Sequence, residues 1–406
     1  MPANSEKNKK IALVHDWILS LGGAERVLKV LHEMFPEAPI YTFFYNKKFT
    51  DKFLPEAKIK SSFLQKLYKL KFVNHKLFLP LLPVAAESFD LSQYDLVISS
   101  SIAFSKGLIL KPKTRHICYC YSPTRFLWDW NKEYQTQSEK RKTQNFRISI
   151  LQHFLRIWDR SAADRVDEFI AISKNVQQRI KKYYNRDSIV IYPPTQDFHH
   201  STSSDLRKSQ RDFLIAQSGS SCQEPGTFCE SAKHCDSSLK DYFLIVSRLF
   251  PHKNIDIAIR AFNKLELPLV IVGSGPEYKK LKSMIENKKM IKMAGEVSDE
   301  DLIKYYQGAK AFIMPQEEDF GLTPLEAMQF GKPVLALKRG GALEYIEEGI
   351  NGEFFEDPHP AVLADGVRRL NENYESYHPE EIKISAEKFS RQRFKEEIKN
   401  FVFHKN

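Results

Sequence analysis

Two carboxylates, Glu318 and Glu326, stand with seven residues between them in MPQEEDFGLTPLEAMQFG, residues 314–331. The apolar residues 311–314 read as the end of a buried strand, and a turn with Pro315 follows. Thr323-Pro324-Leu325-Glu326 then reads as a helix start, with Thr323 as N-cap, Pro324 at the first helical position and Glu326 at the third. A strand, a short loop and a helix N-terminus together present free backbone N–H groups to an anion. One carboxylate precedes the turn and the other lies in the first helical turn, so both are placed to meet a ligand over the loop. A capping box alone also accounts for Glu326.

Cations stand at a second strand–helix junction. The run 242–246 reads as a strand, and Arg248 and Lys253 bracket the loop after it. Two such charges suit a diphosphate, Arg by bidentate contact and Lys as a point charge. The plain alternative is a solvated basic loop. A third junction lies near the N-terminus. The strand 11–14 is followed by His15-Asp16-Trp17 and then by Gly22-Gly23. From Ala24 the apolar positions 27, 28, 30, 31, 34 and 35 repeat at helical spacing. Glycines at such a junction let a backbone approach a ligand closely. Gly273-Ser274-Gly275 begins like a dinucleotide fingerprint, but Tyr278 holds the third glycine position, which argues against nicotinamide binding.

Composition bounds the alternatives. A chain of 406 residues with 42% hydrophobic residues is long enough for two or three globular domains. The apolar run 11–14 is too short for a signal segment, and no stretch of about 18 apolar residues is present. The five cysteines are Cys118, Cys120, Cys222, Cys229 and Cys235. An odd count without a secretion signal fits reduced thiols and a cytoplasmic location. Cys229, His234 and Cys235 match no standard zinc spacing, so no metal site is expected. The net charge of +10 suits an anionic partner, but no nucleic-acid motif is present. Residues 50–83 alternate basic and apolar types, the pattern of a face against an anionic membrane or of a solvated helix pair over a sheet.

These motifs, taken in order, resemble those of retaining glycosyltransferases of family 4. HDW with GGAERV resembles that family's opening, Arg248 with Lys253 its phosphate clamp, and Glu318 with Glu326 its Glu-x7-Glu motif. Tyr121-Ser-Pro-Thr-Arg125-Phe-Leu-Trp is similar to a segment of mannosyltransferase-like members, whose His position is held here by Tyr121. The resemblance implies that Glu318 contacts the transferred sugar and Glu326 the ribose. Phe320, Gly321, Leu322 and Thr323 would supply donor contacts at the helix start, Gly22 and Gly23 would face the donor, and Gly273 and Val297 would lie near the nucleotide. Arg248, Lys253, Glu318 and Asp16 are the expected catalytic group, with Tyr121 and Arg125 in an acceptor or sugar pocket.

Strands alternating with helices in both halves imply parallel sheets covered on both faces. The resemblance makes them two Rossmann-like domains facing a central cleft, the GT-B architecture. Expected boundaries are residues 1–195 for the acceptor side, 196–240 for a Ser-rich linker or insertion, and 241–380 for the donor side. Residues 381–406 are expected to be a helix returning to the first domain, and residues 133–145 read as a polar, mobile stretch. The expected activity is transfer of a sugar, with GDP-mannose as first donor, to a glycan or lipid-linked acceptor. No cofactor is expected, and the location is cytoplasmic, with residues 50–83 as a contact to the inner membrane face. A nucleotide-sugar epimerase and a non-catalytic nucleotide-sugar-binding subunit are the alternatives.

Overall fold

The computed structural model describes residues 9–69, 75–129, 142–196, 198 and 241–403. The expected features at Cys222, Cys229, His234 and Cys235, and most of the stretches 133–145 and 196–240, lie outside the described residues. Those described within Met1–Pro194 and Arg391–Asn406 form one compact unit, and those within Thr195–Ser390 form another.

The first unit holds β1 (Ile11–Ile18), β2 (Ile40–Tyr45), β3 (Ile59–Ser61), β4 (Leu96–Ser101), β5 (Arg115–Cys120), β6 (Glu168–Ala171) and β7 (Ser188–Val190). They pair in parallel in the order β3-β2-β1-β4-β5-β6-β7. The sequence explains this directly. Ala12, Leu13 and Val14 are fully buried, as are Val97 and Ile117, because helices cover the sheet and leave its centre no polar face. An aromatic cluster of Phe43, Phe44, Phe78, Phe89 and Phe104 fills one side. Cys118 and Cys120 are buried free thiols on β5.

The second unit holds β8 (Tyr242–Val246), β9 (Leu269–Val272), β10 (Ile291–Gly295), β11 (Ala309–Met314), β12 (Val334–Leu337) and β13 (Gly352–Phe355). Their order is β10-β9-β8-β11-β12-β13, again parallel. In both sheets the strand order reverses once, between β1 and β4 and between β8 and β11. Open α/β sheets bind ligands beyond the carboxyl ends of the strands at such a reversal.

Three expectations need correction. First, β1 does not stop at residue 14. His15 pairs with both Thr42 and Ser100, and the strand continues to Ile18. Polar residues remain in this buried strand because their side chains find partners inside the unit. Second, the helix expected over residues 381–406 is two helices. Pro379–Glu387 belongs to the second unit and Arg391–Phe403 to the first. The break falls at Phe389, which is fully buried against the rings of Phe320 and Tyr345. A side chain held there draws the chain out of helical register. Third, several apolar residues of the 50–83 stretch face the core. Leu64 and Phe78 are buried and Tyr68 stacks on Phe44, while Phe63, Lys66 and Lys69 stay exposed.

Candidate functional site

In the second unit, the reversal between β8 and β11 brings Lys253 to Glu318. Lys253 Nζ donates to Glu318 Oε1 as an ion pair. Gln316 Nε2 donates to the same oxygen at 2.9 Å. Lys253 lies at the end of a short 3-10 turn, Pro251–Lys253, and is 8% exposed. Asn254 adopts left-handed backbone geometry at φ 52° and donates to Pro315 O at 3.2 Å, tying the loops after β8 and β11 together. The Glu318 carbonyl accepts from Gly341 N at 2.9 Å. Both halves of the ion pair are therefore fixed by backbone contacts on either side.

The helix after this loop begins two residues earlier than the capping-box reading implies. It runs Leu322–Gln329, with Gly321 as N-cap and no side-chain cap bond. Gly321 sits at φ 91°, where a Cβ would come within 2.9 Å of Tyr345 Oη. Only glycine fits, so the helix starts from Gly321 and Thr323 falls inside the first turn. Leu322 and Thr323 are partly open at this helix start. Phe320, expected among the donor contacts, is 2% exposed and packs edge-on to Tyr345 and Phe389. Its side chain is a wall behind the loop, and only its backbone borders the site. Glu326 is likewise 2% exposed, and its Oε2 accepts from Tyr306 Oη at 2.8 Å. The two carboxylates of the motif thus have different surroundings: Glu318 is partly open and paired with a cation, and Glu326 is buried and bonded to a phenol.

Arg248 is exposed in the loop after β8, with its guanidinium 5.9 Å from the Phe250 ring centre. Gly273 lies against the neighbouring residue Ser247. A Cβ there would fall 1.9 Å from Ser247 O, so Gly273 lets the loops after β8 and β9 pack backbone to backbone. Val297 is half-buried just past β10.

In the first unit, Asp16 is fully buried and its carboxylate is saturated. Oδ2 accepts from Ile102 N at 2.7 Å, Ala103 N at 3.1 Å and Ser105 Oγ at 3.0 Å. Oδ1 accepts from Phe104 N at 2.6 Å and Ser105 N at 3.0 Å. The expectation of a catalytic Asp16 is corrected accordingly: five donors occupy it, and it anchors the loop after β4. Tyr121 is also engaged. Its Oη donates to Ala24 O at 3.1 Å and pairs with Ser100 Oγ at 2.9 Å. Burial raises the Tyr121 phenol well above its ordinary pKa, so it remains neutral. Gly22 is the N-cap of the helix Gly23–Met34, again without a side-chain cap bond. Arg125 opens the short helix Arg125–Trp128 and is half-buried.

A second buried carboxylate joins the loops after β4 and β5. Asp159 accepts from Lys106 Nζ at 2.6 Å, Thr124 Oγ1 at 2.8 Å, Trp128 Nε1 at 2.8 Å and Tyr184 Oη at 2.8 Å. Burial pulls the Lys106 ammonium down, but Asp159 more than offsets it and holds the group above its ordinary value. Sequence reasoning missed this pair because 53 residues separate its members. Gln316 lies only two residues before Glu318, in the bend after β11, where no periodicity tells which way a side chain points. Among the described residues, no group of three His, Cys, Asp or Glu is placed to hold a metal ion.

The Lys253–Glu318 pair stands at a strand-order reversal, where open α/β sheets bind ligands. Residues 231–389 match the family described as Glycosyl transferases group 1. The match contains Arg248, Lys253, Glu318 and Glu326. An uncharacterized glycosyltransferase of Methanocaldococcus jannaschii is 23% identical over 223 residues, 54% of each chain. A GDP-mannose-dependent alpha-mannosyltransferase of Corynebacterium glutamicum is 32% identical over 117 residues, 29% of this chain and 28% of that one. The chain thus spans about half or less of the length of these curated relatives. A crystal structure of Anabaena Alr3699/HepE in complex with UDP aligns with a TM-score of 0.65 at 18% identity, covering 97% of this chain and 99% of that one. The two parallel-sheet α/β units therefore share the GT-B fold.

Proposed function

We propose that this chain is a retaining glycosyltransferase that moves a sugar from a nucleotide diphosphate donor to a glycan or lipid-linked acceptor. The observation that carries the reading is Lys253 paired with Glu318 at the β8/β11 reversal, within the stretch that matches Glycosyl transferases group 1. A lysine there stabilises charge developing on a departing diphosphate, and Arg248 adds a second cation. Glu318 accepts hydrogen bonds from the transferred sugar, and Leu322 and Thr323 present backbone N–H groups at the helix start. These charges do the work a divalent cation would otherwise do, so the reaction is proposed to be metal-independent.

GDP-mannose is the first donor to test. The resemblance of residues 121–128 to mannosyltransferase-like sequences supports it, as does the similarity to a GDP-mannose-dependent enzyme. UDP-sugars come second, because the aligned Anabaena protein was crystallised with UDP. The proposed location is the cytoplasm, with Phe63, Lys66 and Lys69 as a contact to an anionic inner membrane face. No helix among the described residues is long and apolar enough to cross a membrane.

The test is a panel of GDP-, UDP-, ADP- and dTDP-sugars, scored for thermal stabilisation and nucleotide release, with Glu318→Ala as control. One donor should both stabilise the protein and release nucleotide, and the variant should lose the release. Stabilisation by none of the four donors would overturn the reading.

A further inference from the structure

The end of β1 carries an arrangement that the site described above does not use. His15 is fully buried. Its Nδ1 lies 3.0 Å from the Ser100 carbonyl oxygen, which can only accept, so Nδ1 carries the proton and donates. In the neutral imidazole Nε2 is then an acceptor, and it has no hydrogen-bond partner among the described residues. It faces Glu25 Oε1 at 3.9 Å, a second acceptor, whose side chain is 10% exposed. A buried imidazole nitrogen and a carboxylate facing each other without a donor between them are costly unless something donates to both.

Two residues without side chains adjoin Glu25 at the start of its helix. Gly23 is exposed and Gly22 half-buried. A Cβ on Gly22 would come within 2.6 Å of Glu25 Oε2, so only glycine there lets Glu25 fold back over the helix N-terminus toward His15. Tyr121 fixes the other side by donating to Ala24 O while pairing with Ser100 Oγ, which in turn lies 3.1 Å from His15 Nδ1. The imidazole and the backbone of the helix start are therefore held in place.

We propose that His15 Nε2 and the Glu25 carboxylate form a diol-binding subsite that takes two adjacent hydroxyl groups of a sugar acceptor. Two acceptors at this separation match two neighbouring hydroxyls, each donating one hydrogen bond. The proposal rests on the glycosyltransferase reading for its choice of ligand, and it places sugar contacts of the first unit at His15 and Glu25 rather than at the saturated Asp16.

The test uses the full chain labelled with 15N-histidine, titrated with methyl α-D-mannopyranoside, with cyclohexanol as a single-hydroxyl control. The His15 Nε2 resonance, assigned by its loss in His15→Gln or its displacement in Glu25→Gln, should move with the glycoside and stay still with cyclohexanol. With a donor that turns over, Glu25→Gln should raise the KM for the glycoside at least roughly tenfold more than the KM for the donor. A resonance unmoved by the glycoside, or moved equally by cyclohexanol, would mean that a water alone sits between the two acceptors and would overturn the proposal. The titration needs no donor, so absence of nucleotide release in the wild type would refute the enzyme reading while the resonance still decides the subsite.

Discussion

Lys253 and Glu318 lie 65 residues apart and meet as an ion pair where the strand order of the second sheet reverses. Gln316 donates to the same Glu318 oxygen and so keeps the carboxylate aimed at the lysine. The pair is a preorganised charge arrangement, with a mostly buried cation that need not be recruited when an anion arrives.

Lys253→Ala removes that cation. Nucleotide release from the preferred donor should fall by roughly 10²-fold or more, as for loss of one charge-stabilising donor from a preorganised site. The quantity to measure is kcat at saturating donor. Near-normal turnover would refute the proposed clamp.

Asp16→Ala should act on stability. The substitution strips the acceptor from four backbone N–H groups and one hydroxyl of a buried loop. Buried hydrogen bonds to a charged group are worth about 1.5–3 kcal/mol each, so a loss of about 3 kcal/mol or more in unfolding free energy is expected. Urea denaturation checks it. An unchanged midpoint would show that the carboxylate is not the loop's anchor.

The Lys106–Asp159 pair gives a double-variant test. Asp159→Asn leaves a buried ammonium without its countercharge and should cost about 3–5 kcal/mol. Adding Lys106→Met removes the stranded charge and should recover at least half of that loss. If the second substitution deepens the loss, the ammonium makes other contacts that outweigh Asp159.

His116 sets a pH dependence. It is buried on β5 with Nε2 2.8 Å from Ser99 Oγ. Burial, aided by Arg165, lowers its pKa from 6.5 to about 3. The unfolded chain takes up a proton below about 6.5, and the folded protein does not until about 3. Stability should therefore fall as pH drops through that window, by about 1.4 kcal/mol per pH unit from this group. Urea midpoints at several pH values should give a flatter profile for His116→Asn than for the wild type. Parallel profiles would assign the acid sensitivity to other groups.

Much of the fold was legible in the sequence. Apolar runs such as 242–246 and 269–272 are strands because a parallel sheet buried on both faces tolerates little else. The order of the motifs at strand–helix junctions placed Arg248, Lys253 and Glu318 at strand ends, where the structure finds them. The helix start at Gly321 was misread because Thr323-Pro324 is a good local cap signal. The backbone turn demanded by Tyr345 and Met314 overrode it.

The sequence by itself determined which residue types occupy the loops and how the strands and helices alternate, since periodicity and turn chemistry are local properties. Only the tertiary structure decided what each polar side chain does. Asp16 and His15 are neighbours on one strand, and their side chains point to opposite faces. One carboxylate meets five donors of a loop more than 80 residues away, while the imidazole beside it is left facing another acceptor. Glu318 and Glu326, alike in sequence, part in the same way, one toward a lysine and one toward a tyrosine. Hydrogen-bond partners across a sheet are fixed by register and crossover, and no local pattern carries that information.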